Sequence, residues 1–165
     1  MSKKLNTILK EAKRKRSRTS YDSLDNILFL DFDGVINTDI DNYGDKPFNT
    51  GCVRNICTLC REYNLKIVVS SSWRKYPDYE DLLRIAGFDK DIIVLGRTSV
   101  LDDSREEEIK QYLAEHIYID KFVIVDDTDF DELTRYHIKT EFSKGFDLNK
   151  LEEARVLLND LQNSL

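Results

Sequence analysis

Long hydrophobic runs are missing from this sequence. Among its 165 residues no stretch approaches the roughly 18 consecutive apolar residues that a membrane span requires, so no membrane partner is expected. The charged N-terminus is not followed by an apolar segment of the kind a secretory signal carries. The expected location is therefore cytoplasmic, or nuclear if the host is eukaryotic. Cysteine is scarce and odd in number: Cys52, Cys57 and Cys60 make no disulfide framework. Cys57 and Cys60 form a C-x-x-C with no second ligand pair nearby. They share a face at helical spacing with Val53 and Ile56, which suits small buried hydrophobes. Only two prolines occur, Pro47 and Pro77, both read as loop residues, and no internal repeat is present.

What is present argues for a globular fold. Hydrophobic residues make up 41% and aromatics 10%, too many for a disordered chain. The net charge of −6 hides an asymmetry. Residues 1–18 hold eight Lys/Arg against Glu11 alone, which is +7 and leaves −13 for the remainder. A basic arm on an acidic domain suits contact with nucleic acid, RNA or DNA. It also suits a solvated tail, or one that folds onto its own acidic domain. KRKRSR at 13–18 has the composition of a nuclear address. We divide the chain into a basic arm at 1–25, helical or flexible, and a catalytic domain at 26–165.

Short, continuous, β-branched runs recur at 27–31 (ILFLD), 66–70 (KIVVS), 92–95 (IIVL) and 122–126 (FVIVD), with a weaker one at 137–140. Strands buried on both faces read this way. Helical patterns lie between them at 50–63, 78–86 and 104–117, with a short one near 130–136. A last helix at 149–162 follows Asp147, a plausible N-cap region. The alternation predicts an α/β fold, Rossmann-like, with a parallel sheet and helices on both faces.

In such sheets ligands bind at the carboxyl ends of the strands. Three of the predicted strands deliver polar groups there. The first ends in Asp31-Phe32-Asp33-Gly34, the second in Ser70-Ser71-Ser72-Trp73-Arg74, and the fourth in Asp126-Asp127-Thr128-Asp129-Phe130-Asp131. Crowded carboxylates repel and each is costly to desolvate, and a divalent cation resolves both problems. An all-oxygen site suits Mg2+, which keeps several waters and favours phosphate oxygens. Asp31 and Asp127, on neighbouring strand tips, could share one ion. The serines offer hydroxyl and N–H donors to a phosphate. A cation should neutralise the phosphoryl oxygens; Arg105, opening the helix before the fourth strand behind Ser104 as cap, is best placed, and Lys110 is second.

These residues together resemble the four motifs of the haloacid dehalogenase superfamily. The features are D-x-D-G-V after a strand, a serine after the second, a basic residue on the helix before the fourth, and Asp-Asp after the fourth. S-S-S-W-R, R-E-E-E-I-K-Q-Y-L and V-I-V-D-D are similar to the phosphatase domains of Swiss-army-knife RNA repair proteins. The phosphatase half of polynucleotide kinase-phosphatases is similar in the same places. The resemblance spans roughly residues 27–131, and the tail from His137 through Gly145 to Leu158 also fits; the basic arm lies outside it.

The resemblance implies roles. Asp31 would be a nucleophile forming an aspartyl-phosphate, and Asp33 the general acid and base. Gly34 permits the sharp turn after them. Ser70 would hold the phosphoryl group with the Ser71 N–H close by. Arg105 would stand where the superfamily has lysine, a departure that keeps charge and changes geometry. Metal ligands would be Asp31, Asp127 first and Asp126 second, the backbone carbonyl of Asp33, and Asp131 in reserve. Trp73 and Arg74 are candidate substrate contacts.

Cap domains of that superfamily insert after the first motif or between the second and third. Here Ile36–Asn49 leaves room for a loop or small hairpin flap, and the second gap already holds a helix and a strand. A capless, open site is expected, which suits a bulky phosphorylated substrate such as a nucleic acid end. The cationic arm adds salt-sensitive backbone binding. Two other readings stand beside this one: a binding module with a vestigial site, and a phosphatase of small metabolites or phosphoproteins.

Overall fold

The structure, a computed structural model, describes residues 3–16, 25–38 and 48–163. The strands are β1 (Asp25–Leu30), β2 (Leu65–Val69), β3 (Val94–Arg97), β4 (Ile119–Asp126) and β5 (His137–Lys139). All neighbours pair in parallel, in the order β3-β2-β1-β4-β5. The helices are α1 (Lys3–Arg16), α2 (Thr50–Tyr63), α3 (Tyr79–Ala86), α4 (Arg105–Glu115) and α5 (Leu148–Asn163). This is the expected α/β architecture. The chain runs from β1 outward to β3, then crosses back to place β4 on the other side of β1. That reversal makes a crevice at the carboxyl ends of β1 and β4.

The period of two along a strand sorts its residues between the faces. Leu28, Leu30, Ile67, Val69, Val123 and Val125 join one core with residues of α2, α3 and α5. Ile27, Phe29, Val68, Phe122 and Ile124 join the other with α4 and α1. Four consecutive apolar residues in β1 are therefore needed because both faces of the central strand are covered. Phe29 meets Tyr112 and Phe122 edge-on.

Local signals set the helix ends. Asn49 caps α2 by accepting from the Cys52 N–H at 2.9 Å, and Ser104 caps α4 by accepting from the Glu107 N–H. Asp147 accepts from the Lys150 N–H at the start of α5, as the sequence suggests. Two elements differ from expectation. The third strand slides from 92–95 to Val94–Arg97: Ile92 is buried beside the sheet, while β3 is an edge strand half open to solvent. The helix near 130–136 shrinks to a 3-10 turn at Thr134–Tyr136. Its leading N–H groups, from Asp131, Glu132 and Leu133, are all taken by one Glu106 carboxylate oxygen. The weak run at 137–140 does form a strand, β5.

Cys52, Cys57 and Cys60 are buried, and none is in a disulfide among the described residues. Between β2 and α4 lie only a 3-10 turn (Ser72–Lys75), α3 and β3, so no inserted domain occurs among the described residues. The loop or flap expected at 36–49 falls mostly on 39–47, outside the described residues. No helix is long and apolar enough to cross a membrane among the described residues.

Much of the basic N-terminal segment is helix α1, which packs on α4. Leu5 is fully buried in the second core, with Leu9 against it. Replacing Leu5 with Ala should therefore lower the unfolding free energy by about 2–5 kcal/mol. Urea unfolding checks this: a midpoint unchanged from wild type would show that α1 is not packed in solution.

Candidate active site

Register assembles the site. Leu30 pairs with Val69 on one side and Val125 on the other. The next residues, Ser70, Asp31 and Asp126, thus stand in a row across β2, β1 and β4. The Ser70 N–H bonds the Leu30 carbonyl at 3.0 Å and the Asp31 N–H bonds the Val125 carbonyl at 3.1 Å. Thr98 and Thr140 extend the row through N–H bonds to the Val69 and Asp126 carbonyls. All five are buried. Asp31 continues the alternation of Ile27 and Phe29, as Asp126 does that of Phe122 and Ile124. Both acids therefore fall on the α4 side of the sheet, where Arg105 opens that helix. Its Nη1 lies 3.1 Å from Asp31 Oδ1 and 2.7 Å from Asp126 Oδ2.

Asp127 completes the cluster. Asp31, Asp126 and Asp127 each offer a carboxylate oxygen, and these atoms lie within 4.8 Å of one another. Burial, and next the Asp126 charge, push Asp31 up to about 7 from 3.8, with Arg105 opposing. Asp127 is raised by the same two causes, and a hydrogen bond with Asp31 works against the rise. Burial disfavours the Arg105 cation, yet Asp31 and Asp126 outweigh it and hold the guanidinium above its usual range. With all three acids ionised, one guanidinium leaves two negative charges uncompensated. The donor set, oxygen only and doubly negative, fits a hard divalent cation. Asp131 is not among these residues; its backbone N–H serves the Glu106 contact instead.

Two features shape the turn after β1. Gly34 has φ +77°, and a Cβ there would lie 2.4 Å from Asp127 Oδ2. Glycine is needed both for the left-handed backbone and for the approach of Asp127. The Gly34 carbonyl is held by the Thr140 hydroxyl at 2.6 Å. Asp33 is oriented from two sides: Asn37 Nδ2 donates to one oxygen at 2.8 Å, and Trp73 Nε1 to the other at 3.0 Å.

Ser70 Oγ has no hydrogen-bond partner although it is fully buried. A fully buried hydroxyl without a partner calls for a reason, and a ligand at the strand tips would supply one. Ser71 caps the 3-10 turn, its hydroxyl accepting from the Trp73 N–H at 3.2 Å.

Two candidate residues are engaged within the fold. Arg74 is buried, and its guanidinium donates to the carbonyls of Ser70, Ser71, Thr98 and Ser99 and to Glu108. Its five donors tie the loop after β2 to the segment after β3 and to α4. Lys110, the second choice of cation, pairs instead with Glu107 at 2.8 Å and Glu132 at 2.9 Å. Trp73 keeps a partly exposed ring, but its N–H is committed to Asp33. Sequence reasoning did not find Asn37, Glu106 or Glu108. A run of three glutamates reads as a solvated helix face, and only the tertiary structure separates its members.

Two outcomes follow for the metal-free protein and its response to magnesium. A raised carboxyl pKa contributes stability that is whole below the unfolded value of 3.8 and is lost as pH rises through about 7. The metal-free protein should therefore melt lower at about pH 8 than at about pH 5, and Asp31→Asn should flatten that difference. Equal pH slopes in the two proteins by scanning fluorimetry would contradict this. If the cluster holds magnesium, the ion should stabilise wild type and Gly34→Ala should lose most of that effect, because Asp127 must move. A magnesium titration by calorimetry indistinguishable from wild type would refute it.

Comparison with curated proteins and with solved structures finds no match to the chain. A family model does match. The site described above, with Asp31 at the tip of β1 and Asp126-Asp127 at the tip of β4, lies within residues 27–151, which match the family described as the HAD domain in Swiss Army Knife RNA repair proteins. That span is well over half of the chain, and the chain belongs to this family of the haloacid dehalogenase superfamily.

Proposed function

We propose that the protein is a magnesium-dependent phosphomonoesterase that works through an aspartyl-phosphate and acts on phosphorylated nucleic acid ends. One observation carries the chemistry: three carboxylates converge with a single guanidinium beside an unpaired buried hydroxyl. Asp31, Asp127 and Asp126, with the Asp33 carbonyl, would hold the ion, which supplies charge neutralisation for the carboxylates and the phosphoryl oxygens.

An Asp31 oxygen attacks phosphorus as the bond to the leaving oxygen breaks. Asp33 gives that oxygen its proton. Asp33, now ionised, then takes a proton from water whose oxygen attacks the aspartyl-phosphate. The bond from phosphorus to Asp31 breaks, releasing phosphate and restoring the carboxylate. Asn37 and Trp73 fix the Asp33 carboxyl for both transfers. Ser70 Oγ donates to a phosphoryl oxygen, and Arg105 faces the charge that develops on the phosphoryl group.

Three things support a nucleic acid substrate. No cap covers the site among the described residues, residues 1–18 carry the chain's excess of positive charge, and the matched family occurs in RNA repair proteins. Helix α1 packs on α4, the helix that begins with Arg105.

On an aryl phosphate with magnesium, Asp31→Asn should show no turnover and Asp33→Asn should be slowed about 10²–10⁴-fold. Wild-type rates in Asp31→Asn would sink the mechanism. Because Leu5 is a core residue, the arm is best tested by neutralising Lys13, Arg14, Lys15 and Arg16 to Gln rather than by deletion. Hydrolysis of 3′- or 5′-phosphorylated oligonucleotides should weaken and lose salt dependence, while aryl phosphate is spared.

A further inference from the structure

At the turn whose Trp73 bonds Asp33, the surface opens into a cleft of about 510 Å³ lined by Ser72, Trp73, Lys75 and Tyr76. The size falls in the range of small-ligand sites, about 300–1,000 Å³. Its walls are fixed. Trp73 is backed by buried Phe32 and Phe48 at centroid distances of 6.0 and 5.6 Å. The Arg74 clamp locks the 3-10 turn that carries Ser72, Trp73 and Lys75, and Tyr76 follows directly as its C-cap, its N–H bonded to the Trp73 carbonyl. Tyr76 stands at the rim, 58% exposed, with its ring 6.1 Å from Trp73 at 63°. That leaves much of the ring face open to a ligand. Lys75 is exposed and forms no ion pair among the described residues.

The cleft is tied to the chemistry through the Trp73 Nε1 bond to Asp33. Asp33 is the residue that, on the reading above, protonates the leaving oxygen. The cleft therefore lies on the leaving-group side. We infer that it binds the terminal nucleotide of the polynucleotide whose end phosphate is removed. An unpaired base lodges against Tyr76, and Lys75 meets the next backbone phosphate. An aromatic rim with an adjacent unpaired cation is the combination that holds single-stranded nucleic acid without reading its sequence.

This inference rests on the proposed phosphomonoesterase reading, and the test separates the two. Tyr76 is exposed, so Tyr76→Ala should fold. Its kcat/KM should fall about tenfold on a phosphorylated oligonucleotide, mainly through KM, and stay unchanged on glycerol phosphate. Trp73 is the only tryptophan in the chain, so binding can be read without turnover. In Asp31→Asn, the same oligonucleotide should quench its fluorescence, and adding Tyr76→Ala should raise the Kd by a similar factor. If both substrates are hydrolysed and Tyr76→Ala treats them alike, or no quenching occurs, the nucleotide site is wrong and the phosphatase reading stands. If a phosphotyrosine peptide carries the Tyr76 dependence in place of the oligonucleotide, the ligand assignment is overturned. If wild type hydrolyses neither ester, the phosphatase reading fails and the inference falls with it.

Discussion

The site depends on one electrostatic constraint: carboxylates are brought together where the sheet has excluded water, and a single guanidinium bridges two of them. Arg105 touches Asp31 and Asp126 with the same nitrogen. Burial of Asp31 would otherwise favour its neutral form strongly, and the Asp126 charge adds to that. The arginine opposes both effects but does not cancel them. What remains, among the described residues, is a site that carries excess negative charge whenever all three acids are ionised. A cation and a phosphoryl group would complete such a site, and Ser70 Oγ, unpaired behind it, fits the same conclusion.

Holding this arrangement falls to the first turns of α4. Arg105 reaches the tip of β1. Glu106 accepts from three successive N–H groups of the segment after β4. Glu108 takes Arg74 and so fixes the loop after β2. Glu107 pairs with the buried Lys110, which also meets Glu132. One stretch, R-E-E-E-I-K, thus stitches the ends of three strands together. The Arg74–Glu108 pair is nearly free of solvent, and losing either partner would leave a buried charge unmatched, a cost of about 3–5 kcal/mol. The site's rigidity thus comes from ion pairs and backbone capture around loops, with the apolar sheet behind them.

The sequence made the frame legible because burial on both faces of a parallel strand leaves a distinctive mark. ILFL, IVV and FVIV read as central strands, and their polar endings mark the edge where the acids and serines gather. The helix at 50–63 was equally plain from its apolar spacing. β3 was harder, since an edge strand with alternate residues in solvent has no continuous apolar run to mark its start. The partners of the site residues were not legible at all. Nothing within four residues of Arg74 hints at Glu108, 34 positions away. An arginine following three serines reads as a phosphate binder. Whether it clamps or binds is decided by an acid that only the fold brings near. Asp33 is similar: its carboxyl is named by D-x-D-G, but its orientation comes from Asn37 and from the distant Trp73.

Chemistry and recognition are carried by different parts of the molecule, and this follows from how the fold is built. On the proposed mechanism the reacting groups sit at strand tips, placed there by the register of a sheet with a core on each face. The lining of the adjacent cleft belongs to a 3-10 turn held by one buried arginine, and the basic charge belongs to a helix docked through Leu5. Neither contributes to the carboxylate cluster, so either can change without disturbing it. Trp73 is the exception. Its ring belongs to the cleft and its N–H to Asp33, so whatever settles in the cleft also presses on the group that, on the proposed mechanism, moves the proton. A substrate that fills the cleft can therefore affect turnover as well as affinity, whereas one that leaves it empty meets only the strand-tip chemistry.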